Sequence, residues 1–245
     1  HILPRTTFNF WSFKNPAISE YGFEITKKWN RVYGTTPMHT IGAGFYYQPY
    51  YNTSKASVLG YDVSGKLALA FLKWNVDVGI LSLSLNGSST FGHKSNWNFN
   101  RLTFESVLKG KKVLGYESIK RPDLNRNFVF HYRSRIIMGN IWSNNTGVPS
   151  QEKYNIEGNG SIDMVKRNYL INQFYGFNNL FEHYHLPGEG NFRGFVQEGI
   201  NGADAILALN LQAGIRKDFS FLSGEPKNLE LKLFSDIGSF WNKYY

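Results

Sequence analysis

The sequence predicts an all-β protein, an antiparallel β-barrel that crosses a membrane with its strands. Aromatic residues make up 17% of the 245 residues, and proline only 8 of them; aromatic side chains suit pleated surfaces and membrane-interface belts. Apolar and polar residues alternate over stretches near the roughly nine to eleven residues that a barrel strand needs to cross a bilayer. Charged residues stand in mid-strand opposite an apolar face, as expected for a lumen side and a lipid side.

The first three predicted strands, at 6–13, 21–32 and 38–48, each have one apolar face. The third shows the clearest alternation. Small or polar residues occupy one of its faces and mostly larger apolar residues the other, which is typical of a barrel wall. The small or polar face holds Gly42, Gly44, Tyr46 and Gln48, and the apolar face holds Ile41, Ala43, Phe45 and Tyr47.

The next segment, 67–85, is less regular. Residues 67–72 are apolar on both faces, and within 76–85 the apolar positions move from even to odd numbers. A β-bulge in one strand would account for this change of phase. A strand buried on both sides in a soluble sandwich remains the alternative, because short apolar runs do not distinguish the two.

Two long strands are predicted at 98–108 and 127–142. The second exceeds the five or six residues, roughly, that are usual in globular proteins. A soluble sheet with one wet face would alternate in the same way, but the strand length favours a membrane barrel. In this strand the apolar face holds Phe128, Phe130, Tyr132, Ile136 and Met138, and the charged face holds His131, Arg133 and Arg135.

The C-terminal part consists of a long connection at 143–203 and two alternating strands at 205–216 and 229–241. A connection of this length is expected to be a functional or surface loop. In the first strand one face holds Leu207, Leu209, Leu211 and Ile215, and the other holds Asn210, Gln212 and Gly214. In the second strand one face holds Leu229, Leu231, Leu233 and Ile237, and the other holds Glu230, Lys232, Phe234, Asp236 and Gly238.

The long connection ends in a distinctive glycine-rich motif at 186–195, which presents a single arginine, Arg193. An arginine inside a protein needs a carboxylate or an aromatic partner. Asp236 is the best candidate, because it lies on the polar face of its strand and a bidentate bond to it could pin the loop. That both groups are solvated and unpaired remains the alternative. The motif residues are Gly188, Gly190, Arg193, Gly194 and Phe195.

Three segments in order carry a family resemblance: Pro-Gly-Glu-Gly-Asn-Phe-Arg-Gly-Phe at 187–195, Leu-Ala-Leu-Asn-Leu-Gln at 207–212 and Leu-Phe-Ser-Asp-Ile-Gly-Ser-Phe-Trp at 233–241. Together they resemble the C-terminal half of the BamA/TamA superfamily of outer-membrane barrels. The resemblance implies a barrel of 16 strands whose motif loop folds back into the lumen. Residues 1–245 would then form part of a single barrel domain.

The resemblance also implies site residues. Arg193 would contact Asp236, with Phe234 and Gly238 completing the Phe-x-Asp-x-Gly pattern of that strand. Two positions depart from the family: Pro187 replaces a loop glycine, and Gln212 stands where a strand glutamate is common. One expected partner of Arg193 is therefore neutral, which weakens the predicted latch but not the fold.

The chain holds about nine to eleven predicted strands, fewer than the 16 of the family. The family also normally continues for three more strands after the Phe-x-Asp-x-Gly strand. The chain is therefore expected to be a portion of a larger protein. The residues before the first predicted strand show no signal-peptide pattern and no POTRA-like αβ units, and N-terminal domains and closing strands are expected to lie outside the given sequence.

The functional expectation is a non-enzymatic protein of the bacterial outer membrane that helps insert or pass other polypeptides. Its expected partners are outer-membrane lipid and lipopolysaccharide, client outer-membrane proteins and accessory envelope subunits. Two alternatives are a barrel that anchors an envelope hydrolase or peptidase, and a soluble lipocalin-like or sandwich binding protein.

Other chemistry is not expected. The chain has no cysteine, which removes disulfides and thiol chemistry, and no serine lies in a Gly-x-Ser-x-Gly elbow. His183 and His185 lack a third metal ligand, so no metal, cofactor or catalytic residue is predicted. The net charge of +9 comes mostly from scattered lysines and arginines, which favours a solvated face over nucleic-acid binding.

Overall fold

The structure is a computed structural model that describes residues 5–14, 18–29, 38–51, 65–91, 95–115, 128–144, 147–149, 152–154, 202–219 and 227–242. Within these ranges the secondary structure is nine β-strands and no helix. The strands are β1 (Arg5–Lys14), β2 (Ile18–Trp29), β3 (Met38–Tyr51), β4 (Leu67–Asp77), β5 (Leu81–Thr90), β6 (Phe99–Leu114), β7 (Phe128–Ser143), β8 (Ala205–Phe219) and β9 (Lys227–Trp241).

All nine strands belong to one sheet, in which each strand pairs antiparallel with its neighbours in sequence, in the order β1 to β9. This arrangement is a meander, which short connections can build because antiparallel neighbours need no crossover. The predicted all-β antiparallel fold is confirmed, and the described ranges contain nine strands, within the predicted nine to eleven. As described, the sheet ends at β1 on one side and at β9 on the other.

Pairing of the strands fixes which residues share a face. Arg135 on β7 stands opposite Asn210 on β8, while the next residue, Ile136, stands opposite Leu209. The side that carries Arg135 is called the inner face here, and the side that carries Ile136 is called the outer face. Because successive side chains alternate between faces, this assignment extends through the register to every strand.

The outer face is apolar and exposed on all nine strands. The apolar face predicted for β7 is confirmed, since Phe128, Tyr132, Ile136 and Met138 lie on it and are each between 39% and 45% exposed. Other large apolar side chains exposed on this face are Phe8, Phe23, Ile25, Ile41, Leu72, Trp74, Leu85, Leu102, Leu207, Leu211, Leu231, Leu233 and Ile237.

The buried core lies on the inner face, toward one end of the strands. It joins residues of β4, β6, β7 and β8 with Tyr154 of the long connection, and Tyr46 of β3 packs against it. Strands that are not neighbours contribute to one cluster, so the sheet curves around its inner face. The cluster consists of Leu67, Leu69, Trp97, Phe99, Ile137, Ile141, Tyr154, Ile206 and Ala208.

One strand prediction is wrong. Residues 76–85 do not form a single bulged strand; β4 continues to Asp77, a turn follows at 78–80, and β5 begins at Leu81. Gly79 adopts φ 83°, and its amide donates to Asp77 Oδ1 at 2.7 Å. The change of apolar phase therefore marks a tight hairpin, and the apolar tract at 67–72 is the first part of β4.

We expect Gly79→Ala to destabilise the protein by about 1 kcal/mol, because a side chain disfavours this left-handed backbone conformation. No atom lies within 4 Å of where the new Cβ would stand, so the cost comes from the backbone alone. Gly87→Ala is the matched control, since its Cβ would make an ordinary contact with Leu102 at 3.8 Å. Equilibrium urea unfolding measures both variants, and equal stability of the two would contradict the role of the turn.

Candidate functional site on the inner face

A chain of polar side chains crosses four adjacent strands of the inner face. Arg135 on β7 donates from Nε to Oε1 of Glu105 on β6 at 2.7 Å, and from Nη1 to Oδ1 of Asn210 on β8 at 3.1 Å. Asn210 in turn donates from Nδ2 to Oδ1 of Asp236 on β9 at 3.0 Å. The two terminal carboxylates are thus joined through one guanidinium and one amide.

Burial explains why these partners matter. Arg135 is only 7% exposed and Asn210 5% exposed, and a buried cation is tolerated only with a counter-charge and satisfied donors. The register supplies the acceptor, because Asn210 pairs directly with Arg135 and with Asp236, and it supplies the counter-charge diagonally, because Glu105 stands opposite Ile137, two residues beyond Arg135. A shift of one residue in β7 would turn Arg135 to the apolar outer face, so the network specifies the alignment of β6 to β9.

A second cluster forms where the long connection returns over the inner face. Tyr154 stacks under the guanidinium of Arg101, whose Cζ lies 4.5 Å from the ring centroid. Its hydroxyl donates to the Leu102 carbonyl at 2.8 Å and lies 2.8 Å from Thr103 Oγ1. The ring covers Gly139, and a side chain at position 139 would overlap it.

Residues 152–154, called the strap here, are held by further polar contacts. Glu152 accepts a hydrogen bond from the Tyr46 hydroxyl at 2.8 Å and lies 3.8 Å from Nη1 of Arg101. Lys153 pairs with Asp204 at 3.2 Å, and Tyr154 forms a backbone bridge with Ala203. The strap therefore links β3 and β6 with the segment that leads into β8.

The predicted partners on the strands are brought together on the inner face. Gln212 of β8 stands directly opposite Phe234 of β9, Asn210 opposite Asp236, and Ala208 opposite Gly238. Asp236 is thus placed on the polar face, as the alternation predicts. The sequence reasoning missed its hydrogen bond to Asn210, although the pattern had already set Arg135 and Asn210 on the charged or polar face of their strands.

The predicted motif loop lies outside the described residues. Its contact with Asp236 therefore stays a prediction, as does the assignment of 143–203 to one long loop. The residues concerned are Pro187, Gly188, Gly190, Arg193, Gly194 and Phe195, and His183 and His185 also lie outside the described ranges.

Comparison with known proteins adds no assignment: the chain is matched by no protein-family model and by no curated protein. Among the described residues, no three His, Asp or Glu side chains are grouped as metal ligands would be. The same part of the chain contains no helix with the length and apolar character needed to cross a membrane.

We expect Arg135→Met to destabilise the protein by about 2 kcal/mol. Removing one partner of a fully buried ion pair costs about 3–5 kcal/mol, and the side chain of Glu105 is 30% exposed, which lets water screen part of that loss. Denaturant unfolding of the purified protein measures the change.

Arg133→Met is the matched control for this prediction, because Arg133 is exposed on the same face of the same strand. Its effect should stay within about 0.5 kcal/mol. Equal losses in the two variants would show that the buried network has no special role. Adding Glu105→Gln to Arg135→Met should cost little more, since the two residues act as a pair.

Proposed function

We propose that the chain forms part of the wall of a β-barrel in the bacterial outer membrane, of the 16-stranded type found in the BamA/TamA superfamily. Like the insertases and translocases of that superfamily, it would help to insert polypeptides into this membrane or pass them across it. The observation that carries the proposal is the contrast between an exposed apolar outer face and an inner face that buries a charged network.

The extent of the outer face supports lipid as its surroundings. Nine strands spaced about 4.8 Å apart give a sheet roughly 40 Å wide, and apolar side chains are exposed along its whole width. Soluble monomers rarely expose a continuous apolar surface beyond a few hundred Å². In a bilayer the same side chains contact acyl chains, so the exposure carries no penalty.

Strand length supports the same surroundings. Strands β6 and β7 have 16 residues each, or about 50 Å at the usual rise per residue. A strand tilted at about 45° needs only nine to eleven residues to cross the hydrocarbon core. The longest strands would therefore cross the core and continue into the aqueous phase.

The inner face supports a lumen that a polypeptide loop enters. The strap, which belongs to the long connection after β7, packs on this face through Tyr154 and Glu152. The predicted partners of Arg193 line the same face further along β8 and β9. In the proposed activity, the wall holds this loop while a client strand adds to an available sheet edge by β-augmentation.

The position of the outer face is testable with spin labels, since the chain contains no cysteine. We expect a nitroxide on Leu233→Cys to be accessible to oxygen and shielded from a water-soluble nickel complex in reconstituted vesicles. A label on the adjacent Phe234→Cys should show the reverse. Both native side chains are exposed, at 71% and 58%. A difference in nickel accessibility between the two labels would therefore come from lipid and not from burial within the protein. Equal nickel accessibility at both sites would contradict a membrane barrel and favour a soluble sheet.

The predicted latch between Arg193 and Asp236 is testable by a double-mutant cycle. We expect Arg193→Ala to lower the temperature at which the folded form loses its fast mobility on gels, and to slow client insertion into vesicles. The cycle with Asp236→Asn should give a coupling of about 1–3 kcal/mol, as expected for a charged hydrogen bond. Arg167→Ala, in the same connection, is the control; additive effects or an unchanged mobility shift would count against the latch.

A further inference from the structure

A dense group of cations lies on the inner face at the end of β6 to β9 that is remote from the strap. The register sets these residues in three rows across the four strands. Five lysines and arginines stand there against one carboxylate, Glu230, and His131 lies among them. This group, called the basic patch here, consists of Lys109, Lys111, His131, Arg133, Arg216 and Lys232.

Like charges face each other within the basic patch. Lys109 stands directly opposite Arg133, and Lys111 follows two residues along β6 on the same face. Such pairs destabilise a sheet, because cross-strand side chains are only about 5 Å apart at Cβ. A sheet that keeps this arrangement gains stability when an anion binds between the opposed cations.

The single carboxylate of the patch does not contact the pair of Lys109 and Arg133. Glu230 lies 2.8 Å from Lys232 and 3.1 Å from His131. Within the described ranges, Lys109, Lys111 and Arg133 form no ion pair, and all three side chains are exposed on the inner face. Three positive charges are thus exposed close together on the inner face.

We propose that the basic patch binds an acidic segment of an extended client polypeptide. This inference rests on the proposed function and names the substrate class that the inner face favours. Alternate side chains of an extended chain recur every 6.6–6.8 Å, roughly, which is also the spacing between Lys109 and Lys111 along β6. Two carboxylates on one side of such a segment can each meet a cation, and the planar fork of Arg133 suits a bidentate bond.

The dimensions of the patch favour a segment over a single small anion. Its cations spread over four strands, or about 14 Å at the usual strand spacing, and over three rows along them. One phosphate or carboxylate reaches only a part of this area, whereas an acidic stretch of several residues reaches all of it. The extent and the positive charge of the patch therefore favour an acidic polypeptide segment as its ligand.

The test uses the purified protein in neutral detergent and measures fluorescence anisotropy of labelled ten-residue peptides. The first peptide alternates Glu and Thr, and the second alternates Lys and Thr. We expect the Glu peptide to bind more tightly, with an affinity that falls as salt increases, because exposed charges are screened over about 10 Å at 0.1 M salt.

Lys109→Glu combined with Arg133→Glu should weaken binding of the Glu peptide at least about tenfold, since like charges at an interface are strongly unfavourable. Lys112→Glu with Lys217→Glu is the matched control: it changes the net charge equally, but both positions lie on the outer face. A third variant, Lys109→Gln with Arg133→Gln, removes the cations without adding repulsion and should give an intermediate loss. Far-UV circular dichroism verifies that each variant is folded.

Equal losses in the inner-face and outer-face variants would overturn the proposal, as would equal affinity for the Lys peptide. Tighter binding of a single-stranded oligonucleotide, with the same dependence on Lys109 and Arg133, would assign the patch to nucleic acid instead. Failure of the proposed function is separate, because it is detected by nickel access to position 233 in vesicles, whereas peptide binding is measured without a bilayer.

Discussion

The buried guanidinium of Arg135 is the constraint on which the rest of the inner face depends. A cation that is almost excluded from solvent requires partners at fixed positions, and these come from the strands on both sides, Glu105 from β6 and Asn210 from β8. Asn210 in turn donates a hydrogen bond to Asp236, which fixes the position of β9 relative to β8. Four strands are therefore aligned by directional bonds, whereas the leucines of the outer face could slide past one another at little cost.

The curvature of the sheet follows from how its inner face is filled. Glycines stand where a large ring needs room: Gly44 lies beneath Phe71, and Gly139 beneath Tyr154. The inner side of this sheet holds both the apolar cluster and the buried charges. Its outer side exposes long apolar side chains, whereas a soluble sheet with one wet face exposes polar ones. The small inner residues of β3 are one part of that arrangement.

The fold could be predicted from the sequence wherever alternation is long and charges mark one face. This holds for β7, where Arg135 and Met138 fall on opposite sides as the spacing requires. The hairpin at Gly79 was missed because Val78 and Ile80 continue the apolar alternation of Val76 through the turn, so Gly79 alone did not mark a break. Similarly, Asp236 could be placed on the polar face, but its bond to Asn210 depends on the pairing of β8 with β9, which one sequence does not specify.

The strap has a consequence for how the protein assembles. Each strand pairs only with its neighbours in sequence, so the sheet can grow by adding one hairpin after another. The strap is different, because it needs Tyr46 of β3, Arg101 of β6 and Ala203 before β8 at the same time. It can dock only after the intervening strands have curved into place, so its docking indicates that this part of the sheet has formed.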